Sequence, residues 1–233
     1  MDDFKTETWK YPGMLIVGEG TDGAGKTTQL RLLSNYLQSK GFGVVYTEWN
    51  SSKLASKTIK KAKKMRELTP RTFSVVHSLD LSSRLNTIIR PALESGLIVI
   101  ADRYIYTAFA RDVARGNDPS WVRNLYRFAP KPDVAFFFRV PIDISLQRIT
   151  LTHLPNFYES GMDMGFSSDP VESYKKFQSK VLEEYDKMVS EFGLVVIDGR
   201  KQIATTQIEI RHIVTKMLKE KFNLRKKSSK SDI

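Results

Sequence analysis

Five short β-rich runs recur along the 233-residue chain, with longer helical patterns between them. The runs are MLIVG from Met14, GVVYTE from Gly43, LIVIAD from Leu97, VAFFFRV from Val134 and LVVID from Leu194. All but the second are nearly continuous apolar stretches, which is typical of strands that helices cover on both faces. Strands that alternate with helices also indicate parallel pairing through crossover connections. The pattern therefore predicts an α/β fold built on a parallel sheet.

Apolar residues at intervals of three and four predict which helix faces pack on that sheet. One stripe consists of Leu30, Leu33 and Leu37, and a second consists of Leu81, Leu85, Ile88 and Ala92. Glycine is favoured just beyond the end of a helix, so Gly41 and Gly96 are expected to end these two helical patterns.

One connection is too long for a plain turn. Residues 151–170, LTHLPNFYESGMDMGFSSDP, are rich in Gly, Ser and Pro and lie between two helical patterns. A segment of this length predicts a lid or binding loop. No repeat or linker divides the chain, so we expect residues 1–222 to form a single domain and the basic residues 223–233 to be a disordered tail.

The chain is strongly basic, with a net charge of +11. Such a balance suits nucleic acid, an anionic membrane or a phosphorylated small molecule. The aromatic interleaving and zinc spacing of nucleic-acid modules are missing from the sequence, so no nucleic-acid partner is expected. No apolar run approaches the roughly 20 residues that span a bilayer, so no membrane is expected either. Without cysteine or a signal-peptide pattern, a cytoplasmic location is expected.

Part of the excess charge is concentrated in six lysines between Lys53 and Lys64. The apolar residues of this segment, Ala55, Ile59, Ala62 and Met65, have helical spacing. The segment therefore predicts an amphipathic helix with a basic face in solvent. Direct contact of these lysines with an anionic ligand is the open alternative.

The most specific motif is GTDGAGKT, Gly20–Thr27, which matches G-x-x-x-x-G-K-[ST] in full. It follows a predicted strand and opens a predicted helix, which is the context that a phosphate-binding loop requires. Its glycines let backbone N–H groups point at one phosphate, and the helix adds its positive end. Lys26 is expected to reach the β- and γ-phosphates, and Thr27 to offer a hydroxyl to Mg²⁺. The predicted nucleotide-binding residues are Gly20, Thr21, Asp22, Gly23, Ala24, Gly25, Lys26, Thr27 and Thr28.

A second motif, IADRYIYTAFARDVARG, begins at Ile100. Asp102 and Arg103 stand at the carboxyl end of a predicted strand, where α/β proteins bind ligands. The carboxylate can hold Mg²⁺ through water, and the guanidinium can clamp an anionic acceptor with two parallel hydrogen bonds. Beside a complete phosphate loop, this interpretation is favoured over an ordinary surface ion pair.

These motifs make the chain resemble the thymidylate kinase family from about Met14 to Leu194. GEGTDGAGKTTQL resembles the family's phosphate loop, IIRPALESGLIVIADRY its helix–strand–DR segment, and PDVAFFFRVPIDISLQRI its third shared segment. The resemblance implies a three-layer P-loop NTPase-type fold with a five-stranded parallel sheet and a lid. It further implies ATP with Mg²⁺ as donor, phosphoryl transfer to the 5′-phosphate of dTMP, and a homodimer.

The resemblance also implies roles for single residues. Lys26, Asp102 and Arg103 would be catalytic, with Thr27 and Asp102 at the metal. The family needs an arginine over the transferred group, but the lid segment has neither arginine nor lysine. Arg148, one turn before the lid, is therefore the candidate, with pairing to a local carboxylate as the alternative. The residues expected at the acceptor are Glu48, Phe73, His77, Arg84, Arg103, Tyr106 and Arg115.

The chain departs from the family pattern at the acceptor. The second strand ends in TEWNSS without the family's glycines, and the places of its base-contacting phenylalanine and arginine fall near His77 and Leu81. Phe73 and Arg84 are the candidate substitutes. Glu48 also suits a deoxynucleoside kinase, in which a carboxylate takes the proton of a 5′-hydroxyl. That activity and a non-catalytic P-loop regulator are the two alternative functions.

Overall fold

The structure is a computed structural model that describes residues 10–228, with side chains described for residues 10–221. Its core is one sheet in which the strands run parallel in the order β2-β3-β1-β4-β5. The strands are β1 Met14–Glu19, β2 Val44–Glu48, β3 Ile98–Asp102, β4 Val134–Arg139 and β5 Val195–Asp198. The prediction of a five-stranded parallel sheet in a P-loop NTPase-type fold is confirmed.

Helices fill the crossovers between the strands. Their bounds are α1 Lys26–Ser39, α2 Ser56–Met65, α3 Pro70–Arg84, α4 Arg90–Glu94, α5 Ile105–Ala114, α6 Pro119–Leu125, α7 Ile142–Thr150, α8 Pro170–Phe192 and α9 Ile203–Ser228. Helix α9 thus continues into the segment predicted as a basic tail, and residues 229–233 of that tail lie outside the described residues. In the part of the chain that the structure describes, no helix combines the length and the apolar character needed to cross a membrane.

Alternate residues of β1 face two separate apolar layers. Met14 and Ile16 pack with apolar side chains of α1 and α9, whereas Leu15 and Val17 pack with those of α3 to α6 and α8. The stripe Leu30, Leu33 and Leu37 is fully buried, as predicted. The sheet is therefore covered on both faces, and its carboxyl edge is left for a site.

A π-helical turn over Leu85–Ile89 joins α3 to α4. Because a π turn contains more residues than an α turn, it rotates the positions that follow it. As a result Ile89 is fully buried, whereas Ile88 is only partly buried. The predicted stripe was therefore wrong at Ile88 and correct at Leu81, Leu85 and Ala92.

Helix α2 confirms the predicted amphipathic segment for most of its length. Ala55 and Ile59 are buried, whereas Met65, the last residue of the helix, is 54% exposed and does not continue the stripe. Gly41 and Gly96, with φ of 85° and 80°, follow the ends of α1 and α4 as expected.

A buried ion pair secures the loop after β2. The Asp80 carboxylate accepts from Arg84 Nε at 2.8 Å, and neither side chain is accessible to solvent. The same carboxylate accepts the backbone N–H groups of Asn50 and Ser52 at 3.1 and 2.9 Å, and Arg84 also donates to Thr47 Oγ1 at 3.2 Å. One pair of α3 side chains therefore holds the end of β2.

Asp80→Asn should lower the free energy of unfolding by about 3–5 kcal/mol, because it leaves the Arg84 guanidinium buried without a counter-charge. Urea unfolding followed by circular dichroism measures the change. The control is Asp186→Asn, which breaks the half-exposed pair with Arg139 and should cost about 0–1 kcal/mol. Equal losses in the two variants would contradict the structural role of the Asp80–Arg84 pair.

Candidate functional site

The phosphate loop connects β1 to α1 through three glycines with positive φ. Gly20, Gly23 and Gly25 have φ of 141°, 79° and 85°, a region that residues with a Cβ rarely adopt. A Cβ on Gly23 would also collide with the carbonyl oxygen of Ser145. The loop can therefore take this shape only with glycine at these places.

Lys26 lies inside this loop as the first residue of α1. Its side chain is buried, and Nζ donates to the Thr21 carbonyl oxygen at 3.2 Å. Burial, followed by repulsion from Arg103, lowers the pKa of Lys26 to about 8. A polyphosphate bound in the loop would oppose both effects, because it supplies the negative charge that favours the ammonium form.

Thr27 and Asp102 meet where α1 begins and β3 ends. The Thr27 hydroxyl donates to Asp102 Oδ2, and the Tyr46 hydroxyl donates to the same oxygen at 3.2 Å. Mg²⁺ prefers hard oxygen ligands of this kind. The predicted metal residues are thus in contact, and their chemistry fits the ion.

Arg103 adopts a left-handed backbone conformation, with φ of 71°, directly after β3. Its N–H donates to the Gly18 carbonyl oxygen at 3.0 Å, and Nη1 donates to the Gly20 carbonyl oxygen at 3.1 Å. Its Nη2 pairs with the Asp22 carboxylate. The guanidinium of Arg103 therefore contacts the phosphate loop directly.

Glu19, at the end of β1, stabilises the backbone turn at Arg103. Its buried carboxylate accepts the Tyr104 N–H at 2.9 Å, the Thr107 hydroxyl at 2.5 Å and the Tyr185 hydroxyl at 3.0 Å. Burial raises the pKa of Glu19 despite these hydrogen bonds. The sequence analysis did not identify this residue, although a glutamate directly after an apolar run was a visible signal.

The Asp22 carboxylate contacts side chains from the end of β3, from α5 and from α8. Besides Arg103, it has Arg111 Nη2 at 3.5 Å and Gln178 Nε2 at 3.2 Å. Burial alone would raise the pKa of the Asp22 carboxyl, but nearby cations, led by Arg111 and Arg103, hold it well below its ordinary value. Arg111 was not predicted, although Thr107, Arg111 and Arg115 follow one another at i, i+4 spacing on one face of α5.

A cleft of about 250 Å³ opens beside the phosphate loop. Arg148 lines it and donates to the Gly199 carbonyl oxygen at 2.9 Å. Gly25 and Thr28 also line it, together with Lys201 of the loop before α9 and Ile203, the first residue of that helix. The sequence analysis missed this loop, although it follows the carboxyl end of β5, where ligands of α/β proteins bind.

The Phe73 and His77 rings of α3 are in contact in a tilted arrangement, with centroids 4.1 Å apart and planes at 31°. The His77 ring also stacks on Trp49 at 5.7 Å. His77 Nδ1 lies 2.6 Å from the Phe73 carbonyl oxygen, and Nε2 is buried with no hydrogen-bond partner among the described residues. Burial, followed by the charge of Lys63, holds the pKa of His77 well below its ordinary value, so the ring is neutral at pH 7.

The other expected acceptor residues are engaged elsewhere. Arg84 belongs to the buried pair with Asp80, and Glu48 pairs with Arg31 on the half-exposed end of β2. The Tyr106 ring is buried against Phe109 and Phe192. The structure does not bring these three residues to the phosphate loop, and their contacts with an acceptor stay predictions.

Arg115 holds the lid segment in place. Its guanidinium lies between the Phe73 and Phe177 rings, 4.1 and 4.5 Å from their centroids. Its Nε donates to Asp163 Oδ2 at 2.9 Å and Nη2 to the Tyr158 carbonyl oxygen at 2.6 Å. In the structure this guanidinium is hydrogen-bonded to the lid segment, and its expected contact with an acceptor phosphate stays a prediction.

Asp163→Asn should loosen the lid, because the fully buried Arg115 loses its counter-charge. We expect amide hydrogen exchange in residues 156–166 to become at least tenfold faster, as measured by mass spectrometry. Asp143→Asn, which breaks the exposed pair with Lys175, should leave these rates unchanged. Unchanged exchange in Asp163→Asn would contradict the anchoring role of the Arg115–Asp163 pair.

Comparison with known proteins agrees with this geometry. The thymidylate kinase family profile matches residues 19–210. The chain is 43% identical over 204 residues to a Saccharolobus solfataricus protein named "Probable thymidylate kinase 2", which covers 87% of this chain and 95% of the relative. It is 29% identical over 217 residues to "Probable thymidylate kinase" of Thermococcus kodakarensis, an alignment that covers 89% of this chain and 100% of the relative. It is 36% identical over 140 residues to "Thymidylate kinase" of Desulfotalea psychrophila, which covers 60% of this chain and 69% of the relative. The chain belongs to the thymidylate kinase family.

Proposed function

We propose that this chain transfers the γ-phosphoryl group of ATP to the 5′-phosphate of dTMP, which yields ADP and dTDP. The observation that carries the proposal is the meeting of the Lys26 loop, Thr27, Asp102 and Arg103 at the carboxyl edge of the sheet. The names of the relatives support the choice of dTMP as acceptor.

The donor would bind across the phosphate loop. Its polyphosphate would accept from backbone N–H groups of residues 20–28 and from Lys26, while its base and ribose would enter the cleft beside Arg148. Thr27 and Asp102 would hold Mg²⁺, which supplies charge neutralisation when bound. Arg148 lies beside the phosphate loop, since its Nη1 is 3.8 Å from the position that a Cβ on Gly25 would occupy. From there its guanidinium would face the transferred group.

Transfer requires an oxygen of the acceptor phosphate to attack the γ-phosphorus as the bond to the ADP oxygen breaks. Two anions must approach each other, so catalysis consists mainly of alignment and charge neutralisation. Arg103, held by its backbone turn and by Asp22, would orient the acceptor phosphate. No base is needed, because a phosphate oxygen is already deprotonated.

This requirement separates the proposal from the deoxynucleoside kinase alternative. A nucleoside acceptor needs a carboxylate that takes the proton of its 5′-hydroxyl, and the candidate, Glu48, is paired with Arg31. The groups around Asp22 are instead cations, Arg103 and Arg111. The electrostatics of the site thus favour an acceptor that carries a phosphate.

A coupled ADP-release assay with dTMP, dCMP, dUMP and thymidine tests the function. We expect dTMP to have the highest kcat/KM and Lys26→Met to lower that value by about 10²–10³-fold, since it removes a charge that stabilises the transition state. Asp102→Ala and Arg103→Ala should also be impaired. ATP binding without ADP release on any acceptor would support the non-catalytic regulator instead.

His77 offers a way to recognise thymine. With Nδ1–H donated to the Phe73 carbonyl oxygen, the neutral ring presents Nε2 as an acceptor. Thymine has an N–H at position 3, whereas the N3 of cytosine is itself an acceptor. A base stacked near Phe73 and Trp49 would therefore pair with His77 only if it carries that N–H.

His77→Phe should raise KM for dTMP about tenfold or more, because the base N–H loses a buried partner worth about 1–3 kcal/mol. KM for ATP should stay within twofold, and the preference for dTMP over dCMP should shrink. Steady-state kinetics with both acceptors measure these changes. An unaltered dTMP/dCMP ratio would exclude His77 from base recognition.

Three finer expectations belong to the proposal as well. They are the use of Mg²⁺ with ATP, a homodimeric assembly and a cytoplasmic location. The first rests on the chemistry of Thr27 and Asp102, and the other two rest on the family resemblance and the sequence. Activity after chelation and re-addition of Mg²⁺, together with light scattering of the purified protein, tests the first two.

A further inference from the structure

We propose that Lys63 and Arg111 form, with Arg103, the site that binds the acceptor's 5′-phosphate. The proposal rests on the proposed function and adds two residues to it. Both residues lie outside the phosphate loop and outside the Asp102–Arg103 pair.

Lys63 points differently from its neighbours on α2. Lys57, Lys60, Lys61 and Lys64 are exposed, whereas Lys63 is half-buried and its Nζ lies 5.2 Å from the Phe73 ring centroid. An ammonium can rest on an aromatic face, but the ring does not neutralise its charge. The inward direction of this lysine is therefore a feature that the amphipathic pattern of α2 does not explain.

Arg111 faces the same space from α5. Its Nη2 is 3.5 Å from Asp22 Oδ2, a distance longer than that of a hydrogen bond. Its Nε is buried without a hydrogen-bond partner in the described part of the chain. Donors that a folded protein leaves buried and unsatisfied call for an explanation such as a missing ligand.

Several cations lie close together around this space. Arg111, Arg103, Lys26 and Lys63 all lower the pKa of the Asp22 carboxyl. The cation Arg115 has its own carboxylate in Asp163. Burial, followed by repulsion among these cations, lowers the pKa of both Lys26 and Lys63, although the carboxyls of Asp112 and Glu159 also lie within reach. A bound phosphate monoester dianion would relieve that repulsion.

The environment of Lys63 supports the same conclusion. Burial, followed by repulsion from Arg111 and Arg115, lowers the pKa of Lys63 to about 7, although Asp22 and Glu159 act in the opposite direction. The neutral His77 ring of α3 also lies within reach of its charge. A bound dianion would raise this pKa, so Lys63 would take up a proton as the acceptor binds near pH 7.

The position favours the acceptor over the donor. Helices α2, α3 and α5 surround Lys63 and Arg111, whereas the 250 Å³ cleft for the donor is lined by the phosphate loop, Arg148 and residues 199–206. Arg103 lies between the two regions, since it contacts both Asp22 and the Gly20 carbonyl oxygen. An anion beside Lys63 would thus face the end of a polyphosphate bound by Lys26.

The test compares Lys63→Met, Lys63→Arg and the matched control Lys64→Met, an exposed lysine on the same helix. Equilibrium binding of dTMP and of thymidine, which lacks the phosphate, is measured by calorimetry between pH 6 and 9. We expect Lys63→Met to weaken dTMP binding about tenfold to hundredfold, with thymidine affected less than twofold. Lys64→Met should match the wild type for both ligands.

The pH dependence distinguishes a direct contact from a structural effect. In the wild type, dTMP affinity should fall as the pH rises above about 7, because the ammonium of empty Lys63 loses its proton there. Lys63→Arg keeps its charge throughout this range and should flatten the decline. Calorimetry in two buffers of different ionisation enthalpy should detect proton uptake for the wild type and less uptake for Lys63→Arg.

Two results would overturn the inference: dTMP binding within twofold of the wild type in Lys63→Met, or equal weakening for dTMP and thymidine. If Lys63→Met does not fold, the comparison of pH profiles between wild type and Lys63→Arg still decides. Failure of the proposed function has a different signature, since the wild type would then phosphorylate another nucleoside monophosphate in preference to dTMP. In that case the same binding series is run with the preferred acceptor and its nucleoside.

Discussion

The contact between Arg103 and Asp22 is the interaction on which the arrangement of the site depends. It joins the carboxyl end of β3 to the phosphate loop, and it does so from a residue whose left-handed backbone would be unfavourable without support. Glu19 supplies that support from within the sheet, because it accepts the N–H group that follows Arg103. The phosphate loop, the Thr27–Asp102 pair and the arginines around Asp22 therefore meet at the edge where the parallel strands end.

Much of this frame could be predicted from the sequence because its signals are local. Apolar runs identify the strands, and G-x-x-x-x-G-K-[ST] requires a backbone shape that only glycines allow. The contact of Thr27 with Asp102 also follows from these signals, since Thr27 lies in the first turn of the helix that follows β1 and Asp102 ends the neighbouring strand β3. Here local chemistry and tertiary position coincide.

The remainder depends on directions that spacing does not determine. The π turn after α3 rotates the chain, so Ile89 rather than Ile88 enters the core. In sequence, Arg84 lies near the place of the family's base-contacting arginine. Its guanidinium is nevertheless buried with Asp80 under the loop that follows β2. Lys63 belongs to a regular amphipathic pattern, and only the placement of α2 against α3 reveals that it turns inward. Partners distant in the chain decide each of these cases.

The lid differs in kind from the rest of the site, because residues 151–170 contain carboxylates and aromatic rings but no lysine or arginine. The cations that we propose for the nucleotides lie on the phosphate loop, on α2, α5 and α7, and directly after β3. Under the proposed function, the positive field that would draw two polyanions together therefore originates outside residues 151–170, whose Asp163 instead compensates the charge of Arg115.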